Sequence, residues 1–172
     1  LYDNSLIVFM SDHGEPFGDH GIVRKSRPWN YEELAHIPWL MRMPEGLGQG
    51  ERFSSFIQPP DLKPTILEML GISTPLTLPY TGNERELAGR SLLPLLTGET
   101  DSIRDFAVTA HYGKQWGYRT DRWTYLYNLD GSRPELYDRQ ADPREQHDLW
   151  ASHQEVGDAL ELRLRRFADR VR

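Results

Sequence analysis

Leu6-Ile7-Val8-Phe9-Met10 runs straight into Ser11-Asp12-His13-Gly14-Glu15-Pro16-Phe17-Gly18-Asp19-His20-Gly21-Ile22-Val23-Arg24-Lys25. Five apolar residues in a row predict a strand buried on both faces of a parallel sheet. Open α/β sheets bind their ligands just beyond the carboxyl ends of the strands, which is where Asp12 and His13 fall. Asp12 offers a hard anionic oxygen and His13 an imidazole nitrogen, a pair suited to a divalent cation, or to one ligand on the metal and one donor on the substrate. Gly14 lets the chain turn away without a side chain in the path of the cation. Lys25 adds a compact positive charge able to neutralise a non-bridging oxygen or a leaving group. The remaining carboxylates and a nucleophile must come from elsewhere. A strand of this kind so near residue 1 lacks upstream neighbours within the chain, so the natural protein is expected to extend before Leu1. Within these residues the strand offers an edge through which copies could associate.

Outward from this block, Ile37 to Met43 reads as a second strand with Pro38 at its start, and residues 45–50 as a glycine-rich turn. From Asp61 to Leu70 the periodicity becomes helical, with Asp61 as N-cap, Pro64 in the first turn and Gly71 at the C-terminus. Prolines 75 and 79 and Gly82-Asn83 mark an irregular connection, and Ser91 to Leu96 a short helix stopped by Gly98. Beyond about residue 101 the character changes. Residues 106–112, 117–120, 123–129 and 135–137 are short aromatic and β-branched runs joined by turns such as Asp130-Gly131, which predicts an antiparallel sheet. The last element opens with Ser152 and Glu155 in capping-box spacing. It places Val156, Leu160, Leu164, Phe167 and Val171 on one face, as an amphipathic helix lying on that sheet. The expected class is therefore α/β: part of a sheet-and-helix domain over residues 1–100, and a small antiparallel sheet with a terminal helix over 101–172.

Composition bounds the function. The chain has 172 residues, 38 % hydrophobic, enough for a core. Its formal net charge of −6 argues against nucleic acid as partner, since a phosphate backbone needs a basic face. No run approaches the roughly 18 apolar residues of a membrane helix, so no membrane partner is expected. With no cysteine there is no disulfide, thiolate metal site or cysteine nucleophile within these residues. Compartment stays open. His36, His111, His147 and His153 have no nearby partner at ligand spacing and read as ordinary polar residues, and Glu15 and Asp19 as surface or supporting groups. Trp116, Tyr118, Trp123, Tyr125 and Tyr127 read as sheet core, and Arg163, Arg165, Arg166 and Arg170 as the solvated face of the last helix.

The block Ser-Asp-His-Gly-Glu-x-x-Gly-Asp-His-Gly followed by a lysine resembles the second metal-binding motif of the sulfatase family, in the alkaline phosphatase superfamily. Tyr31-Glu32-Glu33-Leu34-Ala35-His36-Ile37-Pro38, Pro64-Thr65-Ile66-Leu67 with Gly71, Gly89-Arg90-Ser91-Leu92-Leu93-Pro94-Leu95-Leu96, Arg119 to Tyr125, Glu135-Leu136-Tyr137-Asp138 and Asp142-Pro143-x-Glu145 are similar to stretches of the family's C-terminal portion. The resemblance implies an alkaline phosphatase-like fold, with Asp12 and His13 at a divalent metal, typically calcium, with manganese or zinc as alternatives. It also implies Lys25 at the sulfate of an anionic sulfate ester, His13 beside the substrate and His20 close to it as a catalytic candidate. In the family the nucleophile is a formylglycine made within a Cys/Ser-x-Pro-x-Arg motif. No such motif and no paired N-terminal aspartates occur here, so nucleophile and remaining ligands are expected outside these residues, and this chain alone should not turn over substrate. A phosphonate or phosphate ester hydrolase of the same superfamily is the alternative, because metal plus lysine also stabilises a phosphoryl transition state. A non-catalytic binding or assembly module is a third reading.

Overall fold

The computed structural model describes residues 1–24, 30–73, 89–111 and 113–171. Lys25, the irregular connection with its prolines and Gly82-Asn83 lie outside the described residues. The chain forms two compact units, one from Leu1–Val8, Met41–Asp105 and Arg166–Arg172, the other from Phe9–Leu40 and Phe106–Arg165.

Strand β1 (Ile7–Met10) and strand β2 (Trp39–Arg42) pair in a two-stranded sheet. The expectation of burial on both faces of β1 fails within this chain. Val8 and Met10 are half-buried, whereas Ile7 and Phe9 are exposed, at 42 % and 64 %. The alternation follows from the two-residue period of a strand that has cover on one side only.

In the first unit, Arg42 ties down the N-terminal turn. Its guanidinium donates to the carbonyls of Tyr2 (2.5 Å) and Ser5 (3.3 Å) and stacks 3.9 Å from the Tyr2 ring centroid. Helix α2 (Leu62–Met69) follows a 3-10 turn, Pro59–Asp61. Asp61 precedes α2 as expected, but its carboxylate caps the 3-10 turn instead, accepting from Gln58 N at 2.6 Å. Two prolines at positions 59 and 60 favour that extra turn, because proline is well placed where a helix begins. Pro64 falls in the first turn of α2 and Gly71, with φ +68°, closes it. Helix α3 (Leu93–Leu96) is shorter than the predicted run, since Leu92 still precedes it as its cap residue.

Asp61 is 0 % exposed and holds this unit together. Arg104 grips both of its oxygens, at 2.5 and 2.6 Å, and Arg90 N donates to it at 2.8 Å. Thr65 donates its hydroxyl to Asp61 O (2.6 Å) and accepts from Leu92 N (2.9 Å), bringing the start of α3 onto α2.

The second unit is built on an antiparallel sheet in the order β3 (Ala107–His111), β4 (Gln115–Arg119), β5 (Trp123–Asn128), β6 (Glu135–Asp138). Tyr118 faces Tyr125 across β4 and β5, and Tyr125 faces Leu136 across β5 and β6. These three residues pack with Leu160 and Leu164 of helix α4 (Gln154–Val171). The aromatic run therefore lies in the core: Tyr125 is fully buried, with Trp116, Trp123 and Tyr127 packed around it. Gly157 permits close seating of Trp150, since a Cβ there would lie 2.1 Å from its ring. The expected Ser152–Glu155 capping box is not what opens α4. Ser152 ends a 3-10 turn, and its hydroxyl is engaged with Leu149 O and His153 Nδ1. A 3-10 turn at that point draws the hydroxyl back along the chain, away from the first turn of the helix. Among the described residues no helix is long and apolar enough to cross a membrane.

Candidate functional site

Asp12 and His13 follow β1 immediately, on a bend fixed by three local bonds. Ser11 donates its hydroxyl to His13 O (2.6 Å), His13 N donates to the Asp12 carboxylate (3.0 Å), and Gly14 N donates to Leu34 O (2.8 Å). Gly14 lies so close to helix α1 (Glu32–Ala35) that a Cβ would stand 1.9 Å from Glu33 O. The glycine expected to clear a path for a cation is thus also the contact that seats the bend on α1.

The two side chains are disposed for a ligand. His13 Nδ1 lies 2.6 Å from Gly14 O; a carbonyl can only accept, so Nδ1 carries a proton. Its Nε2 sits 3.5 Å from the Asp12 carboxylate, which is 85 % exposed. A backbone carbonyl that accepts from one ring nitrogen is the usual support of a metal-bound histidine. The donor set, one hard oxygen and one imidazole nitrogen, fits two positions of a divalent cation's shell. Among the described residues no group of three or more His, Cys, Asp or Glu forms a complete cage.

His20 occupies a different environment. Its side chain is 11 % exposed, stacked on Tyr31 with ring centroids 3.7 Å apart. Nδ1 meets Glu33 Oε1 and Nε2 meets Glu145 O, both at 2.8 Å. Burial alone would disfavour its charge, but the Glu145 carbonyl and the Glu33 carboxylate outweigh that and raise its pKa. Both ring nitrogens are therefore engaged inside the chain. Glu15 is half-buried and Asp19 exposed.

Around His20 lies a cluster that composition and spacing alone leave unmarked. Glu145, 1 % exposed, accepts from Glu32 N at 2.8 Å, at the start of α1. Arg119 donates to Asn30 O and lies 3.5 Å from Glu145 Oε1 and 3.6 Å from Glu32 Oε2. Arg139 and His36 reach the other Glu32 oxygen, at 3.4 and 2.8 Å. Tyr31 and Tyr137 both donate to Glu135 Oε2, at 2.8 and 2.5 Å, and burial followed by the Glu135 carboxylate pushes both phenols up. The signal for this cluster was the three family stretches Tyr31 to Pro38, Glu135 to Asp138 and Asp142 to Glu145, which carry its acids. His147 pairs with Asp142 on the surface and His153 packs near Trp123, as ordinary polar residues do.

The fold is shared with solved structures. Residues 18–170 match the family model for the C-terminal portion of N-sulphoglucosamine sulphohydrolase, and the chain belongs to that sulfatase family. It is 30 % identical over 161 residues to an N-acetylglucosamine-6-O-sulfatase of Bacteroides thetaiotaomicron, a match covering 86 % of this chain and 27 % of the relative. It is 29 % identical to arylsulfatase K of Rattus norvegicus, over 96 % of this chain and 30 % of that protein. One similar solved structure, with TM-score 0.80 and 26 % identity, covers 98 % of this chain and 35 % of the other, and holds that protein's substrate, D-glucosamine-2-N,6-O-disulfate. A phosphonate monoester hydrolase of Agrobacterium radiobacter is similar with TM-score 0.73 and 26 % identity, over 97 % of this chain and 35 % of that one. The chain spans about 30 % of the length of the curated relatives it matches. Its alkaline phosphatase-like class is the one expected from the sequence.

Proposed function

We propose that this chain is the C-terminal portion of a metal-dependent sulfatase that hydrolyses sulfate esters. The observation that carries the reading is His13, its Nδ1 held by Gly14 O and its Nε2 beside the Asp12 carboxylate, just after β1 in a chain of the sulfatase family. Asp12 and His13 hold two positions of a calcium site, with manganese or zinc as alternatives, and His13 also borders the substrate. The cation would supply charge neutralisation at the sulfate oxygens. Lys25 contacts the sulfate or the leaving oxygen. His20, its nitrogens committed to Glu33 and Glu145, serves the site by holding its surroundings in place. The formylglycine nucleophile and the remaining ligands come from residues beyond these 172. The substrate is an anionic sulfate ester, and a sulfated amino sugar suits the substrate held by the similar structure.

The likeness to a phosphonate monoester hydrolase favours a second reading, in which the same cation and lysine stabilise a phosphoryl transition state. Paired assays of the intact protein with aryl sulfate and aryl phosphonate esters, with calcium and after chelation, decide. The proposal expects the sulfate ester to be cleaved faster and the activity to vanish on chelation. A preference for the phosphonate selects the second reading, and no turnover of either ester removes both.

A further inference from the structure

The hydrogen bonds that join the Asp12–His13 bend to helix α1 continue to one buried residue, Glu145. Glu145 sits in the turn after Asp142-Pro143 with φ +54°, a left-handed backbone that a non-glycine residue adopts at a cost of roughly 1–2 kcal/mol. Held so, it presents two faces to two segments. Its carboxylate accepts from Glu32 N (2.8 Å) while its own carbonyl accepts from His20 Nε2 (2.8 Å). His20 returns to α1 through Glu33 (2.8 Å), and α1 holds the bend through Gly14 N to Leu34 O (2.8 Å). Arg119 supports the carboxylate from the sheet side and fixes Asn30 O. One residue, distant in sequence, closes a run of hydrogen bonds through His20, α1 and Gly14.

We infer that Glu145 is a positioning residue for the reacting centre, fixing α1 and His20 so that the Asp12–His13 bend keeps its geometry. This rests on the proposal that Asp12 and His13 serve a cation, and it adds a residue that touches neither cation nor substrate. A purely structural acid would matter through global stability. A positioning acid acts locally, on the bend and on α1, and an isosteric acceptor should replace it.

The test compares Glu145→Ala with Glu145→Gln in the intact protein, by calcium titration and by hydrogen exchange at the Gly14 and Glu32 amides against those of β5. Groups that orient metal ligands typically contribute about 10–100-fold to affinity. Glu145→Ala is expected to weaken calcium binding by that range and to speed exchange at Gly14 and Glu32 about 10-fold with β5 unchanged. Glu145→Gln keeps the acceptor for Glu32 N and is expected to stay within about 3-fold of the natural protein on both readouts. A folded Glu145→Ala with natural calcium affinity and natural Gly14 exchange overturns the inference, as does acceleration spread evenly through β5. If Glu145→Ala does not fold, His20→Gln cuts the second arm alone, and unchanged Gly14 exchange there is equally fatal. Should the natural protein bind none of calcium, manganese and zinc, the metal-site proposal fails on that result, and the exchange comparison still decides whether Glu145 holds the bend.

Discussion

Among the described residues, each unit pairs a buried acid with a buried arginine, Asp61 with Arg104 and Glu145 with Arg119, and the two pairs are built differently. In the first unit Asp61 receives four donors: both Arg104 nitrogens, Gln58 N and Arg90 N, all within 2.8 Å. Both partners are satisfied and the geometry is forked, the arrangement in which a buried ion pair best offsets its desolvation. In the second unit Glu145 takes one backbone donor at 2.8 Å, and Arg119 stands 3.5 Å away, shared with Glu32. Arg119 Nε and Glu32 Oε2, both buried, face each other at 3.6 Å without a hydrogen bond. Burial pushes the Glu145 carboxyl up, against the pull of Arg119. Closed pairs of the Asp61 kind fix a fold. The looser cluster around Glu145 runs alongside the candidate site, where groups are held by several partial partners in place of one complete one.

Isosteric substitution sets the two pairs against each other. Asp61→Asn places an amide N–H₂ against donors on every side and leaves Arg104 without its anion, so it should cost about 3–5 kcal/mol of unfolding free energy. Glu145→Gln keeps the acceptor for Glu32 N and leaves Arg119 its second acid, so about 1 kcal/mol is expected. Denaturant unfolding of both variants beside the parent protein measures the difference; equal losses would erase the distinction. Next in size is Gly14→Ala. Its Cβ would collide with Glu33 O at 1.9 Å, so the bend or α1 must move, at about 1–3 kcal/mol. Calcium titration should show a larger proportional loss than the stability change, because the displaced backbone carries Asp12 and His13. Natural affinity in a destabilised Gly14→Ala would mean that the bend tolerates the shift.

The contrast also explains what could be read in advance. Short aromatic and β-branched runs joined by turns located β3 to β6, and the three-to-four spacing of Val156, Leu160 and Leu164 located α4, because side-chain pattern and burial are tied by geometry. Asp12 and His13 stood out because ligand sites follow strand ends. The exposure of Ile7 and Phe9 was not legible, since a run of apolar residues states a preference for cover without saying whether these residues supply it. The capping assignments failed at Asp61 and Ser152 because a preceding 3-10 turn competes for the same side chain, and sequence spacing does not separate the two. Glu145 was hidden for another reason. Its partners Glu32, His20 and Arg119 are distant in sequence, and only the folded second unit joins them.

A further expected effect concerns acid, and it separates the groups of the loose cluster by sign. Burial opposes ionisation of Glu32, but the His36 hydrogen bond and the Arg139 and Arg119 charges outweigh it and hold its pKa at about 2, against an ordinary 4.5. A depressed carboxyl contributes stability above 4.5 that is lost as pH falls toward 2. His20 is raised from 6.5, so its contribution is complete below 6.5 and is lost as pH rises through its folded value. Glu145, raised from 4.5, also loses stability as pH climbs through its folded value, because the folded state keeps that proton longer. Asp138 and Glu161 are depressed and act in the same direction as Glu32. Melting temperature should therefore fall on the acid side below about pH 4.5 and decline again above about pH 6.5. Glu32→Gln isolates one contributor. Its melting temperature should be lower than the parent's at pH 6, and the gap should close as both are taken toward pH 2. A gap that stays constant from pH 6 to pH 2 would mean that the Glu32 charge contributes nothing and that only its shape holds Arg119 and Arg139 in place.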